Sequence, residues 1–255
     1  MIELSRDDAH ILRPMFGYTH FTPLRSFLDG CMGRAWADRA DSPACARITI
    51  GDVNFLAGDP DAECAFELVG HVPSGRDAVG FIFVPENNRW AGLVFKCYGN
   101  AARHVTRYAL SCGVFQEDRL AEYAACLPDG YSLEPIGEEL YRQCLDSPMR
   151  DLCSLLDSAK DYLRRGIGFA AVKNGRIAGG ASSYSVYKGG IEIEVDVGEE
   201  HRRLGLATAC SARLILECLE RGIRPNWDAA NPESMHLALK LGYVFSHEYE
   251  VCGVF

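Results

Sequence analysis

Val195-Asp196-Val197-Gly198-Glu199-Glu200-His201-Arg202-Arg203-Leu204-Gly205-Leu206-Ala207-Thr208 is the stretch on which the reading of this chain turns. It begins as the end of a strand, passes through a polar loop and opens a helix. The first backbone N–H groups of a helix have no intrahelical acceptor, and the helix dipole makes that end positive, so it attracts anions. Gly205 and the small Ala207 let an oxygen-rich group approach the backbone closely. Arg202 and Arg203 stand at the same positive end, where like charge opposes the helix unless an anion is bound. The competing explanation is a solvated loop whose arginines pair with Glu199 and Glu200. Neither nucleotide fingerprint is present: there is no G-x-x-x-x-G-K-[ST], and Gly166-Ile167-Gly168 precedes a strand, the wrong order for a dinucleotide fold.

Working outward, the pattern predicts a hairpin before the loop: Arg176–Tyr187, the turn Lys188-Gly189-Gly190, then Ile191–Val197. A strand at Gly168–Lys173 precedes it, and helices are expected over about 137–146 and 150–165. After the loop come a long helix near 205–220, a strand at Arg224–Ala229, a short helix near 232–240 and an extended stretch to Phe255. Antiparallel strands leading into strand–loop–helix–strand predict a mixed, mainly antiparallel α/β sheet flanked by helices. Turn chemistry at Leu127-Pro128-Asp129-Gly130 marks the best boundary, between a helix at Glu117–Cys126 and a strand at Tyr131–Ile136. Two domains are therefore expected, 1–126 and 127–255. The first half reads as strand-rich, with candidates at Ala46–Ile50, Val53–Leu56, Ala65–Val72, Ala78–Val84, Ala91–Phe95 and Val105–Leu110, after a helical or irregular start over Ala9–Leu28.

The chain has 255 residues, 35 acidic against 26 basic side chains, and a formal charge of −9. That sign repels nucleic acid and anionic lipid and mildly favours cationic ligands. No apolar run approaches the ~18 residues of a membrane span, and the polar, acidic Met1–His10 does not read as a signal peptide, so a soluble cytoplasmic protein is expected. Eleven scattered cysteines form no C-x-x-C pair and read as small buried hydrophobes in a reducing compartment. His20, His71 and His104 lack metal-ligand spacing and read as structural; no metal is expected.

Arg202-x-x-Gly205-x-Ala207 after a strand ending at Val197 resembles the pyrophosphate-binding motif of the GNAT superfamily, the acyl-CoA-dependent N-acyltransferases. A second GNAT-like element follows in Asn231-Pro232-Glu233-Ser234 and Lys240-Leu241-Gly242-Tyr243. Ile191-Glu192-Ile193-Glu194-Val195-Asp196, Cys218-Leu219-Glu220-Arg221-Gly222 and Asn226-Trp227-Asp228-Ala229 are similar to the branch that includes zwittermicin A resistance proteins. The likeness is tight over about 166–252, and it implies that 1–126 is a divergent second GNAT-like lobe.

The resemblance implies acetyl-CoA as acyl donor, with the pantetheine arm along Val195, Asp196 and Val197. The pyrophosphate would lie on Arg203, Leu204, Gly205, Leu206, Ala207 and Thr208, aided by Arg202. Asn231 would touch the pantetheine, although a helix N-cap before Pro232 is an equally direct reading. Acyl transfer to an amine needs a base. Glu192, Glu194 and Asp196 alternate along one strand and share a face, where burial raises a carboxyl pKa. Glu194 is the first choice for the base and Glu192 the second, with an exposed or ion-paired cluster as the alternative. Many relatives carry a tyrosine acid seven residues after the motif asparagine. Ala238 stands there in this chain, leaving Ser234, His236 or water. Asp228 and Trp227 are candidate substrate contacts, with turn capping open for Asp228. The function expected is acetyl transfer to a primary amine of a small polar molecule, antibiotic-like amines included, with a homodimer open to it. The alternatives are acetylation of a protein lysine or amino terminus, and a catalytically silent CoA-binding sensor.

Overall fold

The computed structural model describes residues 1–17, 21–74 and 78–255, so His20 lies outside the described residues. The first stretch of chain forms β1 (Ile2–Leu4), α1 (Ala9–Leu12), α2 (Thr22–Leu28), β2 (Arg34–Ala37), β3 (Cys45–Ile50), β4 (Val53–Gly58), α3 (Ala65–Gly70), β5 (Ile82–Pro85), α4 (Asn88–Tyr98) and β6 (Ala102–Cys112). There follow α5 (Glu117–Ala125), β7 (Tyr131–Pro135), α6 (Glu138–Leu145), α7 (Ala159–Arg165), β8 (Gly168–Lys173), β9 (Arg176–Tyr187) and β10 (Gly190–Val197). The chain closes with α8 (Leu206–Glu220), β11 (Arg224–Asn226), β12 (Asp228–Ala229), α9 (Pro232–Leu241) and β13 (Tyr243–Val254). No helix among the described residues is long and apolar enough to cross a membrane.

Backbone contacts divide the chain into two units, Met1–Arg107 with Glu248–Phe255, and Tyr108–His247. The sequence placed the break at 126/127. In the structure the Pro-Asp-Gly turn lies inside the second unit, α5 belongs to that unit, and the end of β13 returns to the first by pairing Cys252 with Phe83 and Gly253 with Ile82.

In the first unit β1/β2, β2/β3, β3/β4 and β5/β13 are antiparallel, and β4 and β5 are parallel. Two stretches expected as strands, 65–72 and 91–95, are helical. The apolar residues of α3 that are buried, Ala65, Leu68 and Val69, fall at helical rather than alternate spacing. In α4, Trp90 and Val94 are buried four residues apart, and Asn87 Oδ1 accepts from the backbone N–H groups of Arg89 at 3.0 Å and Trp90 at 3.3 Å. That cap starts a helix where β-propensity alone suggests a strand. These helices bury Leu68, Val69, Trp90 and Val94 against Trp36, Leu56, Phe83 and Cys252.

The second unit carries a five-stranded sheet in the order β11-β10-β9-β8-β7, parallel only between β10 and β11. The hairpin expected at 176–197 is β9 and β10, turning through Lys188-Gly189 with Gly189 at φ +89°. α8 lies against β8 and β9, burying Ala209, Cys210, Leu214, Ile215 and Cys218, and α5 runs beside it. The helix expected over 150–165 is broken. Arg150–Leu152 forms one 3₁₀ turn, and α7 starts afresh at Ser158, whose side chain accepts from the N–H of Asp161.

Candidate active site

Along one edge β10 pairs with β9 over its whole length, from Gly190↔Tyr187 to Val197↔Gly179. Along the other it pairs with β11 only through Gly190, Ile191 and Glu192. The chain then leaves. Trp227 interrupts the strand, and Asp228 and Ala229 pair with Ala109 and Tyr108 instead. Beyond Glu192 the β11 side of β10, from Ile193 to Val197, thus has no strand partner among the described residues. Such an edge offers backbone donors and acceptors to an extended ligand.

The fork has named causes. Trp227 is buried at 3% exposure, packs edge-on against Tyr243 and donates its indole N–H to Ser234 Oγ at 3.0 Å. Glu192, 5% exposed, accepts the backbone N–H of Asp228 through Oε1 at 2.7 Å, tying the diverging strands at their vertex. Asn226 Nδ2 donates to the carbonyl of Ile191 at 3.2 Å.

Past the open edge the loop makes one 3₁₀ turn, Glu199–His201, and then bends through left-handed backbone at Arg203 (φ +62°) and Gly205 (φ +83°). Such a conformation at a residue other than glycine costs about 1 kcal/mol or more, so tertiary context imposes it. α8 then starts with no side-chain cap. Among the described residues, no backbone N–H from Arg203 to Thr208 donates to a protein acceptor. Six consecutive donors without acceptors thus lie at and just before the positive end of a 15-residue helix. Both explanations for the arginines find support. Arg202 turns back, with Nε 3.4 Å from the carbonyl of Val197 and Nη1 3.9 Å from Glu199, a surface contact worth little. Arg203 is exposed and forms no ion pair among the described residues.

The three carboxylates have different settings. Glu192 is engaged at the vertex. Glu194 is half-buried, on the part of β10 that lacks a second strand. Asp196 is half-buried, and burial pushes its carboxyl up, against the opposing pull of the Val197 N–H (2.7 Å) and the Arg202 charge. A carboxyl raised on folding disfavours the native state once it ionises, so this penalty is absent below the ordinary aspartate range and complete above the raised value. Asp196→Asn is therefore expected to raise the melting temperature at neutral pH, with the advantage shrinking as the pH falls through that range. Melting curves between pH 3.5 and 7.5 check this, and an advantage independent of pH contradicts it.

Asn231 caps α9, accepting the N–H of Ser234 through Oδ1 at 2.8 Å, with Pro232 in the first turn. Ser234 is half-buried with its hydroxyl proton still available, while Asp228 is half-buried with its own N–H held by Glu192. Trp227 faces the protein interior rather than an open surface. Ala238 is fully buried in α9, and His236 is exposed. No group of three His, Cys, Asp or Glu side chains among the described residues could hold a metal ion. His71 packs on Trp36, and burial lowers its pKa, followed by the charges of Arg47 and Arg34; His104 stacks on Phe95.

Two neighbours of the loop escaped the sequence reading. Lys240 Nζ comes within 3.4 Å of Thr208 Oγ1, and a side chain at Gly205 would stand 4.0 Å from the carbonyl of Cys126, just past α5. Both contacts join residues far apart in the chain, and no local spacing announces them.

Comparison with known proteins supplies the wider setting. The family model for GNAT acetyltransferase matches residues 13–252. A GCN5-related N-acetyltransferase-like protein from Streptococcus suis is 35% identical, with a TM-score of 0.88 over 98% of this chain and 99% of that one. The uncharacterized N-acetyltransferase YdfB of Bacillus subtilis is 24% identical over 98% of this chain and 97% of its own. A tandem GNAT protein from the clavulanic acid biosynthesis pathway shares the fold, with a TM-score of 0.55 at 14% identity over 98% and 96% of the two chains.

Proposed function

The chain belongs to the GNAT acetyltransferase family, and from that premise we propose that it moves an acetyl group from acetyl-CoA to a primary amine of a small polar molecule. The observation that carries this reading is the run of six acceptor-free N–H groups from Arg203 to Thr208, set directly after the open edge of β10. A diphosphate fits those donors in charge and number, and an extended pantetheine amide chain fits the strand edge as an added strand.

Bound acetyl-CoA supplies an activated acetyl group as a thioester. Arg203 to Thr208 and Arg202 would hold its diphosphate, Val195 to Val197 would orient the arm, and Asn231, the N-cap of α9, would contact the pantetheine. Glu194 takes the proton from the incoming ammonium, since it stands on the half-buried stretch of β10 that has no second strand beside it. Ser234 retains a hydroxyl proton for the departing thiolate, and no covalent enzyme intermediate is needed. Asp228 stands near the fork as a contact for the cationic amine. The formal charge of −9 supports a cationic acceptor, and a cytoplasmic setting would suit the donor. The likeness to zwittermicin-type relatives supports antibiotic-like amines among the acceptors. The first unit, Met1–Arg107 with Glu248–Phe255, serves in this account as a divergent second GNAT-like lobe.

An amine panel assayed for CoA release tests this. The account expects release to accelerate with a small polar amine and Glu194→Gln to lower kcat about 100-fold or more, while acetyl-CoA affinity holds. Full activity of Glu194→Gln overturns the assignment of the base. Acceleration only by peptides would assign a protein acceptor, and binding without turnover under any amine would make the chain a sensor.

A further inference from the structure

Cys45 and Cys64 lie nineteen residues apart in the chain, yet their Sγ atoms stand 3.4 Å apart and share a thiol hydrogen. The backbone holds them there. Cys45, on β3, pairs directly with Gly58, the last residue of β4, which turns at φ +91°. The chain then folds back on itself. The N–H of Asp59 donates to the carbonyl of Ala44 at 2.8 Å, that of Ala62 to Asp59 at 3.2 Å, and that of Ala65 to Ala62 at 2.9 Å. Cys64 immediately precedes α3, and its carbonyl accepts the N–H of Leu68 at 2.8 Å. Both thiols are free, with Cys45 fully buried and Cys64 half-buried.

A disulfide bond is about 2.05 Å long, so the sulfurs need to close by roughly 1.4 Å, which small rotations about the two Cα–Cβ bonds supply. Burial pushes the Cys45 thiol up, as do the neighbouring Cys64 and the charges of Asp38 and Asp59, so Cys45 stays protonated at neutral pH. Cys64 is the sulfur that an oxidant reaches first. Asp59, Asp61 and Glu63 are exposed just ahead of it, and the ion pair with Arg89 offsets only the charge of Asp61. A negative rim repels anionic oxidants such as glutathione disulfide and admits neutral peroxide. A second pair of thiols, Cys144 and Cys153, is hydrogen-bonded in the second unit, but its 0% and 1% exposure shuts peroxide out.

We propose that Cys45 and Cys64 form a peroxide-sensitive modification site, closing to a disulfide that pins the start of α3 to β3. The Cys64 thiolate attacks hydrogen peroxide: an S–O bond forms, the O–O bond breaks and hydroxide leaves, giving a sulfenic acid. The Cys45 sulfur then attacks Cys64 Sγ. The S–S bond forms, the S–O bond breaks, and the departing hydroxide takes the Cys45 proton as water. Two thiols and one peroxide thus give one disulfide and two waters, and a dithiol reductant reverses the change. The site lies wholly within the first unit and stands independently of the acetyl-CoA reading.

Peptide mapping of the intact protein after excess hydrogen peroxide, with remaining thiols alkylated in denaturant, tests this. The expected product is a cross-linked Cys45–Cys64 peptide pair lighter by two hydrogen atoms, formed faster than with the same concentration of glutathione disulfide. The melting temperature should rise by about 5 °C or more, and dithiothreitol should reverse both changes. Cys64→Ser, at a half-buried position, should lose the cross-link and the thermal shift. Cys45→Ala should leave Cys64 as a sulfenic acid that dimedone traps. Recovery of Cys45 and Cys64 both alkylated from the peroxide-treated parent overturns the proposal, and so does a bridge from Cys64 to any other cysteine. A Cys45–Cys64 bridge that leaves the melting temperature unchanged overturns the pinning of α3. Faster closure with glutathione disulfide overturns the assignment of peroxide as the oxidant.

Discussion

Gly205→Val is expected to weaken acetyl-CoA binding by two orders of magnitude or more, and Gly205→Asn by less than about fivefold. Gly205 sits at φ +83°, a left-handed conformation that a β-branched side chain adopts only at high cost. Space is not the obstacle, since a Cβ there would stand 4.0 Å from the nearest heavy atom, the carbonyl of Cys126. What valine changes is the backbone. Relieving the strain rotates the peptide planes on either side and scatters the N–H groups of Leu204 to Ala207, on which the proposed diphosphate contact depends. Asparagine tolerates left-handed backbone and leaves those planes in place. Calorimetry on both variants checks the contrast. Equal losses in the two would show that the glycine matters for space or folding, and unchanged binding in the valine variant would show that the loop does not hold the donor.

Arg47→Leu is expected to destabilise the first unit by about 3 kcal/mol or more, the largest stability effect of any single substitution considered. Arg47 is fully buried on β3, and among the described residues its hydrogen bonds go to no carboxylate. Its guanidinium donates to Asn54 Oδ1 from Nε at 3.1 Å and from Nη2 at 2.7 Å, to Thr49 Oγ1 at 3.1 Å, and to the carbonyls of Leu68 at 3.0 Å and His71 at 2.6 Å. Two of those carbonyls end α3 or follow it, where the helix dipole is negative. The rings of Phe81, Phe83 and Trp36 lie 5.2 to 5.8 Å from the charge and supply the rest of its setting. Burial depresses the guanidinium to about 10, so it stays charged at neutral pH. Leucine would fill the volume but leave several buried acceptors without donors. Arg47→Lys keeps the charge but places its donors on one nitrogen, which cannot span Asn54 and the α3 carbonyls together, so it too should lose most of the stability. Urea denaturation checks this, and a change under about 1 kcal/mol for Arg47→Leu would contradict it.

The second half of the chain is legible for local reasons. The hairpin at 176–197, the polar loop and the start of α8 each follow from alternation, turn glycines and helix-start chemistry within a dozen residues. Residues 65–72 and 91–95 were misread because short apolar runs look alike as strand or helix. The discriminating residue, Asn87, lies just outside the second run as its cap. β1 and β2 were missed because Ile2–Leu4 and Arg34–Ala37 are short and become strands by pairing with each other and with β3. The unit boundary depends on Cys252 pairing with Phe83, and no local pattern carries that contact. At the site, the alternation of Glu192, Glu194 and Asp196 was readable, but their separate fates were not. Glu192 is engaged only because Trp227 breaks the neighbouring strand and brings the Asp228 N–H to it. Asn231 had two readings; the structure displays the cap, and a cap uses only the side-chain oxygen.

Hydrogen exchange of the backbone amides, with and without saturating acetyl-CoA, tests the central claim most directly. Six N–H groups at the start of α8 and the unpaired edge of β10 should exchange quickly in the free protein, because none of the six finds a protein acceptor. The account predicts that acetyl-CoA binds and slows exchange in the segments spanning 193–197 and 203–208 more than anywhere else in the second unit. Binding that leaves both segments exchanging at their free rates, or no binding at millimolar acetyl-CoA, would contradict it.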